Sequence, residues 1–221
     1  MVLAAYLMAT HSNGISALQL QSQLGRGSYR TAWMLCAKLR RAMVNPQREP
    51  LRGVVEADET IIPFRAKEPA GRSAVGKMLV AGAVEVDGGT PRRARLKVIA
   101  GFGKDEIHAF VLGAVAPNTR LVTDDWPSYN DIPEIKHKAI TIGPMAAHIV
   151  LPWIHRLFSN LKRWGLGVYH GLRRANLQHY LDEFVFRFNR RRTRHAAFDT
   201  LLGIGARIAP APYHVLIRKT A

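Results

Sequence analysis

The chain of 221 residues sets 32 Lys and Arg against 16 Asp and Glu, a formal net charge of +16, and 48% of its residues are apolar. That apolar share can bury a core and excludes a disordered basic tail, and the length suits one large domain or a domain with a small appendage. A lone cysteine, Cys36, excludes a disulfide framework and a multi-cysteine zinc site. No apolar run reaches the roughly 18 residues of a spanning helix, so no membrane partner is expected. The opening MVLAAYLMA is short, has no basic lead-in and runs into polar residues, so no signal peptide is expected.

Residues 1–45 read as helices. The stretch from Ile15 to Leu24 has Ser16 as its N-cap, and Gly25-Arg26-Gly27 forms a break. A second helix runs from Ser28 to Met43, with Ala32, Leu35, Cys36, Leu39 and Met43 on one stripe and Arg30, Lys38, Arg40 and Arg41 mostly off it. Two short helices around a glycine turn, the second one basic, suit either a helix-turn-helix or an ordinary helical hairpin. Residues 46–52 read as a linker.

The period then changes. Gly53 to Ile62, Met78 to Val86 and Ala94 to Ala100 read as strands, with a hairpin between the second and third at Asp87-Gly88-Gly89. Lys104 to Val115 reads as a helix, Thr119 to Thr123 as a short buried strand, and one more strand is expected near Ala139–Ile142. Trp153, Leu157, Leu161 and Trp164 mark a helical stripe, a break is expected at Gly165, Gly167 and Gly171, and Leu177 to Phe188 forms a second amphipathic helix. Three strands, a helix, a strand and then helices is the element order of a ribonuclease-H-like α/β fold. The expected organisation is a helical segment over 1–45, a ribonuclease-H-like domain over 53–205 and a tail over 206–221.

Charge is uneven along the chain. Residues 1–50 hold 6 basic and 1 acidic residue, residues 51–150 hold 13 and 12, and residues 151–221 hold 13 and 3. Basic ends around a middle that keeps most of the carboxylates look like phosphate-gripping arms on a segment that uses acid for something else. Glu56, Asp58 and Glu59 interrupt an apolar strand, where a carboxylate is costly unless a cation or donor offsets it. Asp124 and Asp125 follow the strand TRLVT. The carboxyl ends of strands in α/β sheets are usual ligand sites, and two aspartates side by side would suit Mg²⁺ or Mn²⁺ in two-metal phosphoryl transfer. Taken singly, the first cluster reads better as an ordinary edge-strand acidic pair and the second as a turn-initiating Asp. His155 and Lys162, seven apart, share a helical face expected to lie roughly opposite the tryptophan stripe.

VEADET (Val55–Thr60), TDDWPSY (Thr123–Tyr129), HRLFSNLKRW (His155–Trp164) and LQHYLDEFVFRFNRR (Leu177–Arg191) resemble the ISXO-type, DDE-like domain of bacterial insertion-sequence transposases, and the helical stretch before them resembles the region preceding that domain. The likeness covers roughly residues 10–205. It implies a ribonuclease-H-like fold and metal-dependent DNA cleavage and strand transfer. By position it makes Asp58 and Asp124 the first two catalytic acids and Lys162 the basic residue seven beyond the third. That third position, usually Glu or Asn, falls on His155, a softer ligand without charge, for which Mn²⁺ would serve better than Mg²⁺. Alternation sets Glu56 and Asp58 on one face of the strand and Glu59 on the other, as a supporting carboxylate.

The family often carries a cysteine-rich zinc-binding segment ahead of the helices, so a shortened copy is expected here. Arg30, Lys38, Arg41, Arg163, Arg173, Arg174, Arg190, Arg191 and Arg192 are the expected DNA contacts, with element ends and target DNA as partners. A homodimer or larger synaptic assembly and a bacterial cytoplasmic, nucleoid-associated location follow from the resemblance. Two rivals remain at this point: a catalytically inactive DNA-binding remnant, and a nuclease on the same fold.

Overall fold

The computed structural model describes residues 1–25, 27–62, 78–141, 147–169, 172–213 and 216. The chain divides into a sheet unit, Glu49–Arg163, and a helical unit made of Met1–Arg48 and Trp164–Ala221. Where one domain was expected over 53–205, residues 164–205 thus group with the N-terminal helices. Their buried side chains are the reason: Phe186, Ala197, Leu201 and Ile204 share one apolar cluster with Ala5, Met8, Leu20, Cys36 and Leu39.

The sheet unit holds β1 (Val54–Ile62), β2 (Met78–Asp87), β3 (Thr90–Ile99), α4 (Lys104–Ala114), β4 (Arg120–Asp124) and β5 (Lys136–Ile140), followed by α5 (Ala147–Val150) and the start of α6 (Pro152–Tyr169). The strands lie in the order β3-β2-β1-β4-β5. β2 runs antiparallel to β1 and β3, while β1, β4 and β5 are mutually parallel. This is the expected ribonuclease-H-like mixed sheet with flanking helices. The β2–β3 turn uses Gly88 and Gly89, both at positive φ, which residues with a Cβ adopt at a cost.

Alternation sorts the sheet's faces. Val55, Ala57, Leu79, Ala81, Ala83 and Leu121 are buried in one cluster with Ile107, Phe110 and Val111 of α4. The other face meets α6. A Cβ on Gly82 of β2 would stand 2.6 Å from the Phe158 ring and 3.0 Å from Ile154, so only glycine lets this helix seat here. Ile154, Leu157, Phe158 and Leu161 form its buried stripe.

The helical unit holds α1 (Val2–Thr10), α2 (Ala17–Leu24), α3 (Tyr29–Ala42), the end of α6, α7 (Leu177–Asn189) and α8 (Ala197–Gly205). Ser16 and Ser28 cap α2 and α3 through their hydroxyls, and Gly25 ends α2 at φ +66°. The expected break at Gly165 and Gly167 does not occur, because α6 runs through both to Tyr169. Gly165 is instead a packing site: its Cβ would lie 3.2 Å from Leu172. Gly171 and Arg26 lie outside the described residues. Arg40, expected off the buried stripe, is 3% exposed and pairs with Glu183 at 2.8 Å. Tyr169 donates to the same carboxylate, and Arg40 stacks on Tyr180.

Candidate active site

Val54, Val55 and Glu56 of β1 pair in parallel with Arg120, Leu121 and Val122 of β4. Two residues further along each strand stand Asp58 and Asp124. In-step residues of neighbouring parallel strands project to the same face, one strand spacing of about 4.8 Å apart. Asp58 is also the β-partner of Gly82, so its face is the one α6 covers. Two carboxylates 66 residues apart in sequence therefore share one face of the sheet, on neighbouring inner strands.

The helix supplies the remaining groups. Glu56, nearly buried, accepts the backbone N–H groups of Trp153 and Ile154 at 2.8 and 2.9 Å, which fixes the start of α6 against β1. Burial pushes the Glu56 carboxyl upward and these two donors pull it back. The next residue, His155, sets its Nε2 3.7 Å from Asp58 Oδ2. Lys162 is held below its usual range by burial, and Asp58 draws it back up. His155 and Lys162 thus flank the buried stripe rather than lying opposite it. Of the expected stripe, Leu157 and Leu161 are buried, while Ile154 and Phe158 take the places given to Trp153 and Trp164, which are only half-buried.

Asp58 is the most perturbed of the acids on this face. Burial raises it to about 7, the Glu59 N–H at 2.7 Å lowers it, and Glu59 and Asp124 push it up again. Glu59, on the other face as alternation requires, is likewise raised to about 7, chiefly by burial. The Tyr129 hydroxyl lies near enough to Glu59 to favour its charged form, yet outside hydrogen-bonding geometry. Asp124 Oδ1 is buried and accepts no hydrogen bond from the protein. A hard carboxylate oxygen left without a donor, beside a second carboxylate, is the kind of ligand a divalent cation accepts. Among the described residues, however, no three His, Cys, Asp or Glu side chains are gathered closely enough to hold an ion as they stand.

Of the expected DNA contacts, Arg30, Lys38, Arg163, Arg173, Arg174 and Arg192 are exposed and Arg41 is half-buried. Arg30 donates to the Tyr213 hydroxyl and stacks on its ring. Arg190 and Arg191 fold back over Phe186 and Phe188 and donate to the carbonyls of those same residues. Two groups escaped the sequence reading. Exposed Lys136 and Lys138 pair with Arg120 and Val122, and so extend the Asp124 face of the sheet toward its edge. His137, between them, bonds Thr123. Only the period of β5 could have revealed these, and its lysines mask it.

A ribonuclease-H-like sheet with an aspartate on its first strand, another ending its fourth, and a basic helix across them defines the class of DDE-like nucleic-acid-processing domains. Residues 50–189 match the ISXO2-like transposase domain, and the chain belongs to that family. No curated protein matches it. Among solved structures, a chain of the simian T-cell lymphotropic virus intasome in complex with PP2A regulatory subunit B56 gamma aligns with a TM-score of 0.46 at 15% identity, over 89% of this chain and 77% of that one. Among the described residues no helix is long and apolar enough to cross a membrane.

Proposed function

We propose that this protein is a transposase that cuts DNA at the ends of an insertion sequence and joins them to a target by in-line displacement at phosphorus. The observation that carries the reading is the placement of Asp58 beside Asp124 in the parallel β1–β4 register, with His155 and Lys162 of α6 turned to Asp58. Asp58 and Asp124 would hold Mg²⁺ or Mn²⁺, with His155 as the third donor. When bound, such ions sharpen the attacking oxygen and stabilise the leaving one.

The chain's own groups do the rest. Half-buried Lys162 pairs with a non-bridging phosphate oxygen next to the scissile bond, where its low-dielectric surroundings strengthen the attraction. Glu56 keeps α6 in place, and therefore His155 and Lys162 with it. Arg120, Lys136 and Lys138 receive the strand that enters the acid pair. The exposed arginines of the helical unit grip phosphates, which positions DNA without reading its sequence. Transposition requires two ends held together, so a dimer or larger assembly is the working form.

A plasmid carrying the gene's own flanking DNA tests this. Wild-type protein nicks it and forms strand-transfer products in Mg²⁺ or Mn²⁺, Asp58→Asn drops both to background while still binding DNA, and His155→Ala shows whether the third donor is needed. Binding without cutting in either metal would reduce the protein to a DNA-binding remnant. Nicking without joining would make it a nuclease.

A further inference from the structure

Asp58 and Asp124 are held in different ways. The Asp58 carboxylate accepts the Glu59 N–H at 2.7 Å, so a backbone donor aims it directly. Asp124 has no such donor on Oδ1, which is buried and accepts nothing from the protein. Its direction must come from its backbone. Asp124 is the last residue of β4, and its strand neighbour there is Ile140 of β5.

A side-chain link adds to that pairing. Thr123, fully buried, donates its hydroxyl to the Asp124 carbonyl at 2.6 Å. The same oxygen lies 2.8 Å from His137 Nε2 on β5. A hydroxyl has one proton, and Thr123 uses it on Asp124, so its oxygen must accept from His137. This places the imidazole proton on Nε2 and gives an unbroken chain, His137 N–H to Thr123 O–H to Asp124 C=O. His137 is in turn set by its strand, whose backbone pairs it with Leu121.

We propose that His137 and Thr123 are positioning residues for the second acid: together they clamp the end of β4 so that the Asp124 carboxylate stands ready for a cation. The inference rests on the reading of Asp124 as a metal ligand. Outer groups that orient a metal ligand typically contribute about 10–100-fold to affinity or activity.

The test is Mn²⁺ binding to the full chain without DNA, followed by electron paramagnetic resonance, for wild type, Asp124→Asn, Thr123→Val, Thr123→Ser and His137→Phe. Thr123→Val keeps the shape and removes the hydroxyl, so it should weaken Mn²⁺ binding by about tenfold or more. Thr123→Ser, which keeps the hydroxyl, should restore most of that loss. A merely structural Thr123 would not separate Ser from Val in metal affinity. His137→Phe breaks the clamp from its other end and should weaken binding even if Thr123→Val folds poorly. If Asp124→Asn loses Mn²⁺ while Thr123→Val and His137→Phe both bind as wild type, the clamp is wrong and the metal reading stands. If Asp124→Asn binds as wild type, or wild type binds no Mn²⁺, the metal reading itself falls.

Discussion

Both units carry 16 Lys and Arg, but the sheet unit holds 13 Asp and Glu and the helical unit only three, so their formal charges are +3 and +13. Equal numbers of cations therefore do different work. In the sheet unit they meet carboxylates: Arg93 with Glu85 at 2.7 Å, Lys104 with Asp131 at 3.0 Å, and Lys162 acting on Asp58. In the helical unit cations far outnumber carboxylates, and those exposed at Arg30, Lys38, Arg173, Arg174 and Arg192 face solvent. The buried Arg40–Glu183 pair is where that unit behaves like its neighbour. Chemistry on phosphorus suits a site with balanced charge, and grip on a polyanion suits an excess.

Arg40→Ala gives the largest effect and should separate the units. It leaves Glu183, with a side chain 0% exposed, charged and without its guanidinium, a loss of about 3–5 kcal/mol. Hydrogen exchange should show protection falling across α3 and α7 while β1 and β2 keep theirs. Equal loss in both units would mean they do not fold as separate bodies. Gly82→Ala breaks the opposite unit. The added methyl meets the Phe158 ring at 2.6 Å, an overpacking cost of about 1–3 kcal/mol. Because α6 is displaced from the strand that carries Asp58, nicking should fall more steeply than the melting temperature does.

The sheet was legible where its period was clean. β1 follows VVEADETII almost to the residue, and the Gly88-Gly89 turn marks the hairpin unaided. The acidic cluster of β1 stood out because acid in an apolar strand is costly, and Asp124 with Asp125 because they end a strand. The family resemblance alone picked Asp58 and Asp124 from them. What remained hidden depended on distant partners. Arg40 looks like any surface arginine until Glu183, 143 residues on, supplies its charge. Gly165 reads as a helix breaker, a penalty of about 1 kcal/mol, until Leu172 is seen against it. Thr123 and His137 carry no signal at all, since their bond exists only once β5 lies beside β4. Local propensity shows elements and costly residues, while packing decides what those residues are for.

The grip of the helical unit is tested by salt. Arg173→Ala with Arg174→Ala should lower the slope of log affinity against log salt by about 2, near 0.9 for each phosphate that is no longer neutralised. Asp58→Asn should leave that slope unchanged, since it belongs to the other half of the comparison. An unchanged slope in the double variant would remove these two arginines from the interface.

The smallest effect concerns Asp182, one of the three carboxylates in the basic unit. Burial raises it to about 6, while Gln178, donating at 2.9 Å, and Arg48 pull it down. A folded value above the ordinary 3.8 means the fold favours the protonated acid. That contribution is whole below the unfolded value and is lost as pH rises through about 6. Asp182→Asn keeps an oxygen for Gln178 and cannot ionise. It should therefore melt like wild type near pH 4 and a few degrees higher at pH 8, with the gap opening above the ordinary value of 3.8 and complete once pH passes about 6. A variant less stable than wild type at pH 8 would show that Asp182 works as an anion for Arg48. Even the rare acids of this unit would then serve its cations.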